Sequence, residues 1–346
     1  MKRDSWIRFV IVLTFLALIS SRPAWSASFA YTTLDFPGAA GTFAFGVNNT
    51  GQIVGEYVDT SGSQHGFLYT RGVFTSIDFP SAKGTQAFGI NDSGQITGDY
   101  TDSSFNTHGF LDVAGTFGTV DFPGNSFNQA NGINHSGQVV GQYVDSMGTL
   151  HGFLETGGSF RSVDFSGATG TQAFGINASG QVVGVYTDGR FDPHGFLESS
   201  GSFGTIDFPG ATATEAFGIN AMGQIVGLYF DSAGAFHGFL DNSGSLSSID
   251  FPRSRFTEAE GINDSGQIVG IYTDSLGFQH GFLALAWFWS GLPRKTRPAV
   301  QKVVSSWADG PLYLVVHTCL PLANVGLLPL IPAIHPATTP SPQGVI

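Results

Sequence analysis

Cysteine is almost missing from this chain of 346 residues: the only one is Cys319. No internal disulfide can form, so a fold of this size must rest on its core. Charge is also scarce, at 12 % of residues. Between residues 28 and 283 basic side chains are rarer still, since only 6 of the 14 Lys and Arg lie there, against 24 of the 26 Asp and Glu. A phosphate-binding surface needs clustered Lys and Arg to release counterions. None occurs here, which argues against nucleic acid and anionic headgroups as partners. Tryptophan is absent from the same stretch. There is no Gly-rich phosphate loop, no zinc-ligand spacing and no nucleophile elbow.

What is abundant is glycine, with 48 residues, and phenylalanine, with 32. Gly at this level is poor for helices, and so many aromatics are foreign to disordered chains. The combination suits short strands joined by tight turns.

Three markers recur at a fixed step of 43 residues. The first is the Asp of a DFP-like motif, at Asp35, Asp78, Asp121, Asp164, Asp207 and Asp250. The second is the Asn of a GIN-like motif, at Asn48, Asn91, Asn134, Asn177, Asn220 and Asn263. The third is the His of HGFL, at His65, His108, His151, His194, His237 and His280. A period of this length denotes a propeller, a solenoid or an array. The second unit reads as four strands: 73–79, 85–90, 95–101 and 108–113. Asn91-Asp-Ser-Gly94 supplies an Asx turn and a Gly for positive φ between two of them. Four antiparallel strands per unit match one propeller blade, and six units fall within the usual range. The expected fold is therefore all-β, a six-bladed β-propeller, with an open β-solenoid as the alternative. An open stack needs atypical caps, whereas the first and last units here are as regular as the rest. A ring requires 29–36 to supply the fourth strand of the last blade, pairing near residue 280. The Gly of GQIVG is expected to admit a neighbouring blade.

Outside the repeats, Lys2, Arg3 and Arg8 precede the apolar run 9–19 and a small-residue region with a cut after Ser26, which reads as a signal peptide over 1–26. The propeller is placed at 27–286. The tail 287–346 is read as disordered or weakly membrane-associated, because its apolar stretch is broken by Pro321, Pro329 and Pro332. Export follows, to the periplasm or the exterior, including association with the cell surface.

The combination AFGINDSGQIVG, HGFL and FTSIDF resembles the HAF-type extracellular repeat of bacterial exported proteins, which reads His-Ala-Phe-Leu-Trp where this chain has His-Gly-Phe-Leu. The resemblance covers about residues 29–283. It implies export and a propeller-like fold, and it implies no chemistry.

The six repeated His and Asn are read as structural, and the sequons at Asn48, Asn91, Asn134, Asn177 and Asn263 as turn chemistry. The repeated Asp59, Asp102, Asp145, Asp188, Asp231 and Asp274 precede turns and should accept backbone hydrogen bonds. Their spacing is not that of a calcium loop, so no cofactor is expected beyond weak calcium binding. Catalysis needs an acid and a base in unlike environments, and the polar repeat residues are nearly identical, so no catalytic residue is assigned. Binding should sit where units differ. The stretch before each His carries Phe105, Phe191, Phe236 and Phe278, which either present a ligand-stacking rim or cover a neighbouring blade. The residue before Gly in the AFG motif is Phe in four units but Asn131 and Glu260 in two, three blades apart, where they could reach one axial ligand. The expected protein is a monomeric, non-catalytic scaffold for carbohydrate or protein. A polysaccharide-acting enzyme and a structural surface or matrix protein are the alternatives.

Overall fold

The computed structural model describes residues 28–125 and 127–287. The expected signal peptide and most of the tail lie outside the described residues. Twenty-four strands, β1 to β24 in chain order, form six four-stranded antiparallel sheets.

In the first blade β2 (Gly41–Val47), β3 (Ile53–Val58), β4 (Gln64–Thr70) and β5 (Val73–Ile77) pair in sequence order. Each strand ends at turn chemistry read from the sequence. Asn48 opens the hairpin after β2: its Oδ1 accepts the N–H groups of Thr50 and Gln52, and Gly51 takes φ 78°. The GIN strands of successive blades touch one another in a closed cycle, with the first blade against the sixth. These strands therefore line the axis and the DFP strands lie outermost. The ring excludes the solenoid.

Closure follows the expected route. β1 (Ser28–Leu34) joins β24 (Gln279–Trp287), β23 (Gln267–Thr273) and β22 (Phe256–Ile262) as the outer strand of the last blade, with Tyr31 opposite Ala284 and Leu34 opposite Gly281. His280 Nδ1 meets Asp35 Oδ1 at 2.9 Å, the bond that His65 makes with Asp78 within its own unit. The first and last segments of the repeat region are thus one structural unit.

The core lies between blades. Phe67, Phe110, Phe153, Phe196, Phe239 and Phe282 of the HGFL motifs are fully buried, one per blade. At each junction the DFP Phe of one blade stacks on a Tyr of the next, as Phe36 does on Tyr57 with ring centroids 3.6 Å apart. Tyr57 in turn stacks on His65. The Phe and Tyr rings lie nearly parallel and almost face to face, and the pattern recurs in all six blades, so the stabilisation comes chiefly from the apolar area that each pair buries.

The Gly of GQIVG has a different cause from the expected one. A Cβ on Gly55 would lie 2.7 Å from the ring of Phe67 in its own blade and 2.0 Å from the carbonyl oxygen of Phe43. The space is filled from within the blade. The glycine that admits a neighbouring blade is the one in AFG: a Cβ on Gly46 would meet the Phe88 carbonyl oxygen at 2.6 Å.

Candidate functional site

Alternation of strand direction divides the turns between two faces. Hairpins that begin with the GIN Asn, and the tight turns between the third and fourth strand of each blade, share one face. The Asp-initiated hairpins that precede HGFL, and the DFP connections, share the other.

On the first face the six Asn form a closed belt. Asn48 Nδ2 donates to the Asn91 carbonyl oxygen at 3.1 Å, and the relay continues through Asn134, Asn177, Asn220 and Asn263 back to Asn48. Each side chain thus shapes its own turn and bonds the next blade. Their amides are buried at 3–4 % exposure, with donor and acceptor both committed.

On the opposite face each repeated His is held between two carboxylates. His65 Nδ1 lies 2.7 Å from Asp78 Oδ1, and Nε2 lies 3.6 Å from Asp59 Oδ2. Asp59 Oδ1 accepts the N–H groups of Ser61 and Ser63, the turn role expected for it. These bonds, led by the Ser61 hydroxyl, hold the Asp59 carboxyl down at about 2. Burial lowers the His108 pKa, but hydrogen bonds and charge from Asp121 and Asp102 outweigh it, and the net shift is upward. The six Asp-His-Asp arrangements repeat almost unchanged around the ring, and both ring nitrogens of each His face carboxylates. Among the described residues no three His, Cys, Asp or Glu side chains converge as a metal site.

The four loop Phe separate into two kinds. Phe236 is half-buried: it packs on Phe230 of its own blade and on Phe256 of the next, with centroids 4.1 and 5.0 Å apart. Phe105, Phe191 and Phe278 are exposed, at 74, 76 and 58 %. Met147 and Leu276 are also exposed on these hairpins. Phe105 and Phe191 adopt φ 68° and 71°. The equivalent residue in the other four blades is Gly62, Gly148, Gly234 or Gly277, at φ 80–96°. Two blades thus place a bulky aromatic where the backbone is left-handed, at a cost of roughly 1–2 kcal/mol each. The ammonium of Lys83 sits 3.3 Å from the Phe105 ring centroid.

The position of Asn131 and Glu260 is a β-bulge in every innermost strand, between Ala44 and Gly46 in the first blade. Its Phe residues pair edge-on, Phe45 with Phe88 and Phe174 with Phe217. The Asn131 amide donates to the Ala173 carbonyl oxygen of the next blade at 2.9 Å. Glu260 shares its strand with Glu258, and burial with the charge of Glu258 raises its pKa well above the ordinary carboxyl value. The two side chains thus have separate neighbours. Two residues earlier in the same strands, Gln86 and Gln129 reach across to Glu56 and Asp99 of the preceding blade, whereas Glu215 and Glu258 lie opposite Leu228 and Ile271. Burial raises both of these glutamates.

Sequence reasoning passed over one junction. Arg161 on β13 (Ser159–Val163) of the third blade approaches Glu198 on β16 (Pro193–Ser199) of the fourth, Nη2 to Oε2 3.5 Å. A cavity of about 320 Å³ opens there. Its only sequence signal was a rare basic residue in a strand position that other units fill with Thr, Gly or Ser.

No family model and no curated protein matches this sequence. Solved structures do. The SapL1 lectin, in complex with alpha methyl fucoside, is 12 % identical with a TM-score of 0.50, over 72 % of this chain and 93 % of that one. A lectin of Aleuria aurantia, in complex with Fucalpha1-6GlcNAc, is 13 % identical with a TM-score of 0.48, over 75 % and 94 %. The β-propeller domain of the Trilobed protease from Pyrococcus furiosus is 9 % identical with a TM-score of 0.45, over 72 % and 94 %. At such identities the likeness is one of fold, and the fold is the six-bladed β-propeller.

Proposed function

We propose that this protein is an exported, non-catalytic propeller that binds carbohydrate on the face carrying the Asp-initiated hairpins. One observation carries the reading: Phe105 and Phe191 stand exposed at hairpin tips, on left-handed backbone that the other four blades give to glycine. Strain kept at an exposed tip contributes nothing to the core, and strained residues of this kind cluster at ligand contacts. A flat ring presented to water offers a face for the C–H side of a sugar, with little side-chain entropy to lose on binding. Phe278 gives the sixth blade an exposed ring on the same face, so the second, fourth and sixth blades each present one. Lys83 covers one face of Phe105 and leaves the other for a ligand. The SapL1 lectin, which shares this fold, is in complex with alpha methyl fucoside, which is consistent with the class of ligand proposed.

The repeat supports the non-catalytic reading. An acid and a base must differ in environment, and the six His-Asp arrangements do not. The test is a screen of the full chain against bacterial and plant polysaccharides for saturable binding and for released sugars. Binding without product, weakened by Phe191→Gly, supports the proposal. Released sugars refute its non-catalytic part, and binding indifferent to Phe105→Gly and Phe191→Gly together refutes the site.

A further inference from the structure

Glu198 is 1 % exposed, the most deeply buried acid among the described residues. One of its carboxylate oxygens has an evident task. Oε1 accepts the N–H of Gly201 at 2.5 Å and shapes the turn to the outer strand. Asp112, Glu155 and Asp241 do the same for Gly115, Gly158 and Gly244 in their own blades. The other oxygen has no such explanation. Glu198 Oε2 is buried and accepts no hydrogen bond; Arg161 Nη2 stands 3.5 Å away, an ion-pair distance, and its side chain is half-exposed. A buried acceptor left unpaired costs about 1–3 kcal/mol, more when charged. Such a group in a native fold calls for an explanation.

The cavity beside it supplies one. Its walls include Arg161 of the third blade and Ser179, Gln181, Glu198, Ser199 and Ser200 of the fourth. Its 320 Å³ falls near the lower end of the roughly 300–1,000 Å³ of small-ligand pockets. It lies on the face of the GIN turns, opposite the Phe hairpins. The pairing of a basic and an acidic side chain does not recur at the other five junctions. Where the third blade has Arg161, the others have Thr32, Thr75, Gly118, Gly204 and Ser247, so a base meets an acid here alone.

We infer that this junction is a binding site for one neutral, polyhydroxylated ring, a single sugar residue held by two adjacent hydroxyls. Arginine supplies donors only and carboxylate supplies acceptors only. Their formal charges cancel, so the site offers no net attraction to a phosphate or a metal ion. A hydroxyl both donates and accepts. One of a vicinal pair donates to Glu198 Oε2, and its neighbour accepts from Arg161 as the guanidinium swings outward. The Ser179 hydroxyl donates to Asn177 Oδ1 and so accepts from the ligand, whereas the Ser199 and Ser200 hydroxyls rotate to either role; together they set which stereoisomer fits. The site stands apart from the exposed Phe hairpin tips and does not depend on them.

The test is calorimetric titration of the full chain with D-glucose, D-galactose, D-mannose and L-fucose, with inorganic phosphate as the anionic probe. The expected result is one site per chain for at least one hexose, weakened about tenfold or more by Glu198→Gln and by Arg161→Gly, and unchanged by Phe105→Gly with Phe191→Gly. Arg161→Gly installs the residue that two other blades carry, so it keeps the test valid should Glu198→Gln fail to fold. Absence of saturable hexose binding overturns the inference. So does binding that persists unchanged in Arg161→Gly, or phosphate bound more tightly than any hexose. Loss of polysaccharide binding in the Phe variants with hexose binding intact would separate the two sites.

Discussion

Phe191→Gly should make this protein more stable and less able to bind. The native residue sits at φ 71° with 76 % of its surface exposed. Relief of a left-handed non-glycine residue returns roughly 1–2 kcal/mol. The added freedom of glycine in the unfolded chain takes back about 0.4–1 kcal/mol. The net is a gain of about 0.5–1 kcal/mol, or some 2 °C in Tm for a domain of this size. Phe105→Gly follows the same arithmetic but also loses the Lys83 contact, worth about 0.5–1 kcal/mol at an exposed site, so its stability should change by about zero. Urea unfolding of the two variants beside the native chain measures both values, and polysaccharide binding is read on the same samples. A loss above about 1 kcal/mol in Phe191→Gly would mean that the ring is packed, and the reasoning would fail. Gained stability with unchanged binding would leave the strain without a ligand to account for it.

Other perturbations test the ring. Asn263→Asp keeps the oxygen that shapes the turn but removes the donor to the Asn48 carbonyl oxygen, so urea unfolding should show a loss of about 1–3 kcal/mol, and Asn263→Ala should lose more. Gly46→Ala puts a Cβ 2.6 Å from the neighbouring Phe88 carbonyl oxygen, and the expected loss is above about 2 kcal/mol by the same assay. Stability should peak near pH 5, as followed by Tm. Burial pushes Asp99 up to about 7 and raises Glu258; an acid raised by folding is penalised as pH climbs from its unfolded value, about 4, through its folded one. His108, raised on folding, adds stability below about pH 6.5 that is lost as pH rises through its folded pKa. The six turn Asp, lowered on folding, add stability above about pH 4 that is lost as pH falls through their folded values. Asp99→Asn should flatten the alkaline limb.

The blade count, strand order and closure by the first strand were legible because the 43-residue step has no insertion and every turn is written in Asn, Asp and Gly. The innermost strand was not legible. Strands buried on both faces carry apolar residues throughout, so periodicity could not rank them from axis to rim. The bulge at Phe45 was hidden for a related reason: one extra residue in AFG shifts register without altering composition. The binding candidates were found by looking for positions that differ, and this located Phe105 and Phe191 without showing their strain. Phe236 shows the limit, since the same residue type in an equivalent loop packs on Phe256. Arg161 escaped because its partner lies 37 positions away in the next blade, and no pattern within one unit joins them.

Symmetry itself sorts these residues. A group repeated six times must meet the same neighbours in every blade, and a closed ring gives it those neighbours at every junction, including the last. The Asn belt spends its donors on the next blade's carbonyls, and each His is held between two carboxylates. Such groups have little left to offer a ligand. The groups with something left are among those the repeat does not dictate, and they include two strained rings in water and one buried carboxylate oxygen beside an arginine; Ser81 and Arg253 are left-handed in the same way but present no ring. Each carries a local cost that the equivalent positions in other blades avoid. A repeat array can copy the cheaper residue from its neighbours at any of these positions. That it holds the costlier one on both faces of the ring is the physical reason to seek ligands there, and not at the residues that recur most.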